Sequence, residues 1–239
     1  MADKKGIAGK STHEMADRRW KGLLWMGIIG IVLFGGLWYA FTHAKALGIG
    51  GTALVVIFFL IIGYRDIFEM VLGKQEKRVK RARRGARAEE KVDSLLDGLS
   101  DDFVVLNDVV SQYGNIDHIV ISRYGGLFLI ETKSHGGKVT IDNGTVLVNG
   151  KLPEKDFIRQ TISNAYWLRD RVFELTGVKP WITPLLVFTN AFVAYSQPVK
   201  GIRVINKKYL LDAIEKGNNS SPNNAKVWEA REQIHKRLM

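Results

Sequence analysis

Residues 114–138 read GNIDHIVISRYGGLFLIETKSHGGK. Two apolar runs, 116–121 and 127–132, flank Arg123-Tyr124-Gly125. Three-residue hairpin loops need a left-handed residue, and Gly125 suits that place. A loop centred on Tyr124 sets Asp117 directly across from Glu131. Lys133, two residues further on, shares their face. A register slip of two residues keeps these side chains on one side, whereas a slip of one separates them.

Opposed like charges destabilise a strand pair. A hard divalent cation with oxygen ligands would offset that repulsion. A lysine beside it could hold or deprotonate a water, or steady a developing negative charge. The same spacing also describes a solvent-facing strand with an ordinary Glu131–Lys133 ion pair. On spacing alone the ordinary reading is the stronger, because an aspartate followed by E-x-K is frequent by chance.

The chain has 239 residues, with 35 Lys and Arg against 24 Asp and Glu, a formal charge of +11. That length holds one sizeable soluble domain and further segments. The basic balance favours anionic partners, either nucleic acid or an acidic membrane face. Cysteine is absent, which removes disulfides and thiolate metal sites.

Residues 1–21 are polar and basic and read as a tail. Gly9-Lys10-Ser11 matches the end of a phosphate-binding loop. Lys4 stands where that motif's first glycine belongs, and no strand is expected before it, so the motif is set aside. Residues 22–42 and 46–64 carry no acidic or arginine residue and no lysine. Each is long enough to cross roughly 30 Å of hydrocarbon as a helix. The predicted organisation is a tail at 1–21, two transmembrane helices within 22–64, a basic linker at 65–82 and a globular domain at 83–239. Basic residues crowd both outer flanks of the spans, while the connecting turn has Lys45 alone. The positive-inside rule then predicts a multi-pass protein of the inner (plasma) membrane with both termini cytoplasmic.

Beyond the linker, Val92, Leu96 and Leu99 recur at helical spacing, and Glu89 extends their stripe. Asn143-Gly144 marks a second hairpin between 138–142 and 145–148. Residues 155–176 form a predicted helix with Ile158, Ile162, Ala165, Leu168, Val172 and Leu175 inward. Gln160, Asn164 and Arg171 lie off that stripe. The run 185–188 reads as a strand covered on both faces, and 202–205 as another. Two helices, near 207–216 and 224–238, follow. His118 is expected to pack away from the carboxylates, on the opposite strand face.

Four motifs occur in order: GARAEEKV at 85–92, NIDHIV at 115–120, GLFLIETK at 126–133 and RQ at 159–160. Together they resemble the NERD (nuclease-related) domain family, which is assigned to the PD-(D/E)XK nuclease superfamily. The resemblance covers about 83–190. It departs at Ala88, where the family commonly has glycine. It implies an α/β, restriction-endonuclease-like mixed sheet flanked by helices, here preceded by the transmembrane hairpin. It also implies metal-dependent hydrolysis of phosphodiester bonds in DNA, or alternatively RNA. By the same resemblance Glu89, Asp117, Glu131, Lys133 and Gln160 are the catalytic residues. Asp117, Glu131 and Glu89, with the Thr132 carbonyl, would hold Mg²⁺ or Mn²⁺. Arg123, Lys138 and Arg159 are candidate nucleic-acid contacts. The expected partners are nucleic acid, with DNA ahead of RNA, the lipid bilayer, and a second copy through the membrane hairpin. The competing class is a non-catalytic nucleic-acid-binding or assembly module tethered to the membrane.

Overall fold

The computed structural model describes every residue except Ala44, Leu47, Ile49, Tyr195, Ser196 and residues 218–222, and excludes the side chains of Leu54 and Ile57. It forms two compact units, Thr12–Arg83 on one hand and Met1–Ser11 with Arg84–Met239 on the other.

Two long helices, α1 (Lys10–Thr42) and α2 (Gly51–Leu96), supply the first unit. Among the described residues α1 is the one helix long and apolar enough to cross a membrane, with a mean hydropathy of 1.9 over its best window. Its apolar side chains, Trp25, Ile31 and Val32 among them, are exposed. The second expected span includes Leu47, Ile49 and the side chains of Leu54 and Ile57, which lie outside the described residues, as does Ala44 of the expected turn. From Gly51 onward the helix continues without a break through the basic stretch to Leu96. Residues 65–82 are therefore helical. Within this unit Arg83 stands 5.9 Å from the centroid of the Trp20 ring.

The other unit is mixed α/β, built on a seven-stranded sheet of order β1-β2-β3-β4-β6-β7, with β5 paired to β4. The strands are β1 (Asp3–Lys5), β2 (Phe103–Ser111), β3 (Gly114–Ser122), β4 (Gly126–Asp142), β5 (Thr145–Val148), β6 (Ile182–Val193) and β7 (Arg203–Asn206). The β2-β3-β4 meander and the β4-β5 hairpin are antiparallel. The β1-β2, β4-β6 and β6-β7 pairs are parallel. Helices α3 (Phe157–Thr176), α4 (Leu210–Glu215), α5 (Asn223–Glu229) and α6 (Arg231–Leu238) complete it. The last predicted helix is thus two short ones, divided at Ala230.

Both sheet faces are covered. Val92 and Leu96 of α2 pack with Val120, Phe128, Ile130, Val187 and Leu210. On the other face Leu168 and Val172 of α3 meet Leu106, Ile119 and Leu129, with Val227 and Ile234. Each such side chain contributes roughly 1.5–3 kcal/mol when fully buried. Asp156 caps α3, its carboxylate accepting from the Arg159 N–H, and Gly177 ends it at φ 69°.

The hairpin register is the expected one: Ser122 faces Gly126 and His118 faces Ile130 across a loop of Arg123, Tyr124 and Gly125. The left-handed residue, however, is Gly126 at φ 84°, not Gly125. Ser122 Oγ accepts from Tyr124 N and Gly125 N, which holds the loop and moves the reversal one residue on. Asn143 and Gly144 both have positive φ, as a two-residue hairpin turn requires.

The N-terminal residues are not a free tail. Asp3–Lys5 pairs in parallel with Val104–Leu106, and Ala2 N donates to Leu99 O at 2.8 Å. Lys4 Nζ lies 3.0 Å from Asp93 and 2.6 Å from Asp97. A strand therefore does precede Gly9-Lys10-Ser11. The phosphate-loop reading still fails, because the Ser11 N–H and hydroxyl both donate to the Asp108 carboxylate, each at 2.6 Å.

The turn geometry makes a testable contrast. A Cβ on Gly126 would be held at positive φ and 3.1 Å from Asn224 Oδ1. Gly126→Ala is expected to lose about 1–2 kcal/mol, the usual penalty of a left-handed non-glycine residue. Gly125→Ala is expected to lose less. Urea midpoints of the two full-length variants decide, and a larger loss at Gly125 would return the reversal to that residue.

Candidate active site

Asp117 sits where the β3 ladder stops. The last β3–β4 pair is His118↔Ile130, one step short of Asp117 facing Glu131. Instead of a backbone rung, the Asp117 carboxylate accepts the Thr132 N–H through Oδ2 at 2.5 Å. The β2 ladder skips the same point, with pairs at Asn107↔His118 and Val109↔Ile116 and none between. Ile116 and Ile119 belong to one apolar cluster, as do Leu106 and Val109, so side-chain alternation breaks once on each strand. Asp108, at φ 57°, lies at the break in β2.

Glu131 is almost wholly buried on β4. Its Oε1 accepts from Lys133 Nζ at 2.5 Å. Its Oε2 is buried with no hydrogen-bond partner among the described residues. Lys133 Nζ also reaches Gln160 Oε1 at 3.4 Å and stands 4.8 Å from the centroid of the Phe157 ring. Gln160 is one turn into α3, so the helix cap at Asp156 sets where its amide lies. Glu89, buried on α2, adds a further negative charge that is felt at Asp117.

Burial, then the Glu131 carboxylate, then Glu89, push Asp117 well above the usual carboxylate value. Lys133 and the Thr132 N–H pull the other way by less. Burial and the neighbouring negative charge together favour the protonated form of Asp117. His118 is buried elsewhere, its Nδ1 2.8 Å from Asn107 Oδ1. Burial pushes its pKa down to about 4, which keeps the ring neutral near pH 7.

Glu89, Asp117, Glu131, Lys133 and Gln160 are thus brought to one neighbourhood by α2, β3, β4 and α3. The candidate nucleic-acid contacts are spread out. Arg159 is exposed beside Gln160, and Lys138 is exposed five residues beyond Lys133, about 17 Å along an extended strand. Arg123 is in the hairpin loop, six residues from Asp117, or about 20 Å. It is bound there to Asp102 at 2.8 Å and stands 5.5 Å from the centroid of the Trp228 ring, so the fold does not bring it to the carboxylates. Asn164 is among the buried polar residues that the sequence did not mark, and it lies on α3 with Gln160. Expected off the apolar stripe of α3, it is fully buried, and its Oδ1 accepts from Ser111 Oγ at 2.7 Å. Its spacing of four from the buried Leu168 was the available signal.

A divalent cation can be tested against this donor set. Among the described residues no three carboxylate or imidazole side chains form a ready metal cage. The buried, unpartnered Glu131 Oε2 and the raised Asp117 carboxyl nevertheless suit a cation that keeps most of its waters and uses one or two carboxylates.

The electrostatics predict a pH dependence. An acid whose folded pKa lies above its unfolded value adds stability below the unfolded value, and that contribution is lost as pH rises through the folded pKa. Asp117→Asn keeps an oxygen for the Thr132 N–H and removes the titration. In metal-free buffer the melting temperature of Asp117→Asn should therefore gain on the unmodified chain as pH rises above about 4. Each 1 kcal/mol of relief reads as roughly 2–4 °C in a domain of this size. Parallel curves from pH 4 to 8 would contradict the placement of this carboxyl.

Residues 84–189 match the family model described as NERD, the nuclease-related domain. The match contains every member of the carboxylate–lysine–glutamine cluster and leaves out the N-terminal strand and the last three helices. No curated protein and no solved structure matches the chain. Residues 84–189, a little under half of the chain, are thus similar to the nuclease-related domain family.

Proposed function

We propose that the protein is a membrane-anchored, metal-dependent nuclease that hydrolyses phosphodiester bonds of DNA ahead of RNA. The observation that carries this reading is the cluster of Asp117, Glu131 and Lys133, with a buried Glu131 oxygen that has no partner among the described residues, lying within the stretch that matches the nuclease-related domain. Asp117 and Glu131, with Glu89 and the Thr132 carbonyl close by, would hold Mg²⁺ or Mn²⁺. The bound cation supplies positive charge that offsets carboxylate repulsion and the charge gained by the phosphodiester.

The chain's own residues do the rest. Lys133 Nζ, fixed between Glu131 Oε1 and Gln160 Oε1, donates to the attacking water or to the phosphate oxygen that gains charge. The water oxygen bonds to phosphorus and gives up a proton to bulk water, one P–O ester bond breaks, and the leaving alkoxide takes a proton from bulk water. Arg159 and Lys138 meet the phosphate backbone on either side. In the same reading α1 and the apolar start of α2 cross the inner membrane as a pair with both termini cytoplasmic, and domain boundaries fall near 21, 64 and 82. Pairing of two copies through these helices belongs to the reading as well.

A second reading, a non-catalytic nucleic-acid-binding module at the membrane, draws on the direct Lys133–Glu131 bond. That bond neutralises a carboxylate without any metal ion. The two readings separate in one assay. Full-length protein in detergent is incubated with labelled DNA and RNA, with EDTA or with Mn²⁺. The nuclease reading expects cleavage with Mn²⁺ alone, and a loss of about 10²-fold or more in Lys133→Ala. Salt-sensitive binding without cleavage in either metal condition supports the module instead.

Topology is tested by reporters fused at each terminus and at His43. The paired-span reading expects cytoplasmic signals at both ends and an external one at His43. A C-terminal reporter active only outside the cell would defeat it.

A further inference from the structure

We propose that the N-terminal segment, outside the nuclease-related stretch, is a clamp that holds Asp117 in its site through Ser11, Asp108 and Asn115. This inference goes beyond the nuclease reading and concerns the position of one side chain, whatever the cluster acts on.

Asp108 and Asp117 would face each other if the β2–β3 ladder were regular, since the pairs on either side keep one register. Neither is in the ladder. Asp108 turns to positive φ, a conformation that aspartate and asparagine tolerate better than most residues. Its turn takes the strand pair out of alternation at this one point. Asp117 is thereby free to direct its carboxylate to the Thr132 N–H on the next strand.

The turn at Asp108 is held from outside β2. Ser11 N–H donates to one Asp108 oxygen and Ser11 Oγ to the other, each at 2.6 Å. Asn115 Nδ2 donates to Asp108 Oδ1 at 2.9 Å and also to Ser11 Oγ. Asn115 is two residues from Asp117 on the same strand. The clamp thus touches both strands at the point where their ladder opens.

Ser11 is delivered there by a path that admits no bulk. A Cβ on Gly6, at φ 81°, would come within 2.6 Å of the Asn107 carbonyl oxygen. One on Gly9, at φ 71°, would come within 3.3 Å of the Ala86 backbone. Strand β1 and the Lys4 pairs with Asp93 and Asp97 hold the segment upstream. Ser11, Asp108 and Asn115 are positioning residues. The alternative is that Asp108 merely caps the first turn of α1, as a carboxylate at a helix N-terminus often does.

Amide hydrogen exchange separates the two, because Thr132 N–H reports the Asp117 bond directly. The full-length protein in detergent is compared with Ser11→Ala, Gly6→Val, Asp108→Ala and Asp108→Asn. Exchange at Thr132 is read against Leu129, within the regular part of β4. A clamp predicts that Ser11→Ala, Gly6→Val and Asp108→Ala speed Thr132 exchange about tenfold or more relative to Leu129. Asp108→Asn keeps an acceptor and tolerates positive φ, so it should restore most of the protection. Gly126→Ala, which weakens the domain elsewhere, should not single out Thr132. A helix cap alone predicts lower overall stability with the Thr132-to-Leu129 ratio unchanged in Ser11→Ala and Gly6→Val, and that result overturns the clamp. Should Asp108→Ala fail to fold, those two variants still decide. The same proteins can be assayed for Mn²⁺-dependent cleavage. Absence of cleavage in the unmodified chain overturns the nuclease reading and leaves the exchange result standing.

Discussion

The Asp117 carboxylate takes the Thr132 N–H where a sheet would ordinarily place a carbonyl. Much of the site follows from that substitution. It ends the β3–β4 ladder at His118↔Ile130, so the strands part just where Glu131 and Lys133 lie. It also fixes a carboxyl beside two other carboxylates in a largely dry surrounding, which is why Asp117 resists ionisation. The strain of assembling like charges is carried by the apolar layers on both faces. Val92 and Leu96 anchor the helix that bears Glu89, and Leu168 and Val172 anchor the helix that bears Gln160.

Lys133 is the one cation placed among these groups among the described residues. Its bond to Glu131 Oε1 and its approach to Gln160 leave Glu131 Oε2 without a donor among the described residues. A buried acceptor without a donor is unfavourable by about 1–3 kcal/mol. A fold that keeps it gains from whatever later satisfies it. This is the physical link between the rigid sheet and a site able to receive a charged ligand.

Much of this was legible in the residues. Loop length and period-two alternation specify the Asp117–Glu131 register, because a slip of one would turn Ile119 and Ile121 out of the core. Asn143-Gly144 announced its turn for the same reason of backbone sterics. The N-terminal strand was hidden, since Asp3, Lys4 and Lys5 show no apolar period and use their backbones alone for pairing. Lys4 reads as a surface charge until Asp93 and Asp97 are known to stand beside it. Asp108 was invisible too, because its left-handed turn depends on a serine 97 residues earlier. The placing of the left-handed glycine at 125 went wrong through Ser122, whose hydroxyl claims two loop amides. Asn164 was placed off the apolar stripe, yet it stands one turn before Leu168 on the buried face of α3, where Ser111 Oγ donates to its Oδ1.

The parallel pairing of β1 with β2 has a consequence for the order of events during synthesis. Residues 3–5 emerge from the ribosome long before their partners at 104–106. An apolar helix, α1, lies between them in the chain. Contacts so distant in sequence form late, because the loop between them must close first. Residues 3–5 must therefore wait in an open state until β2 is available.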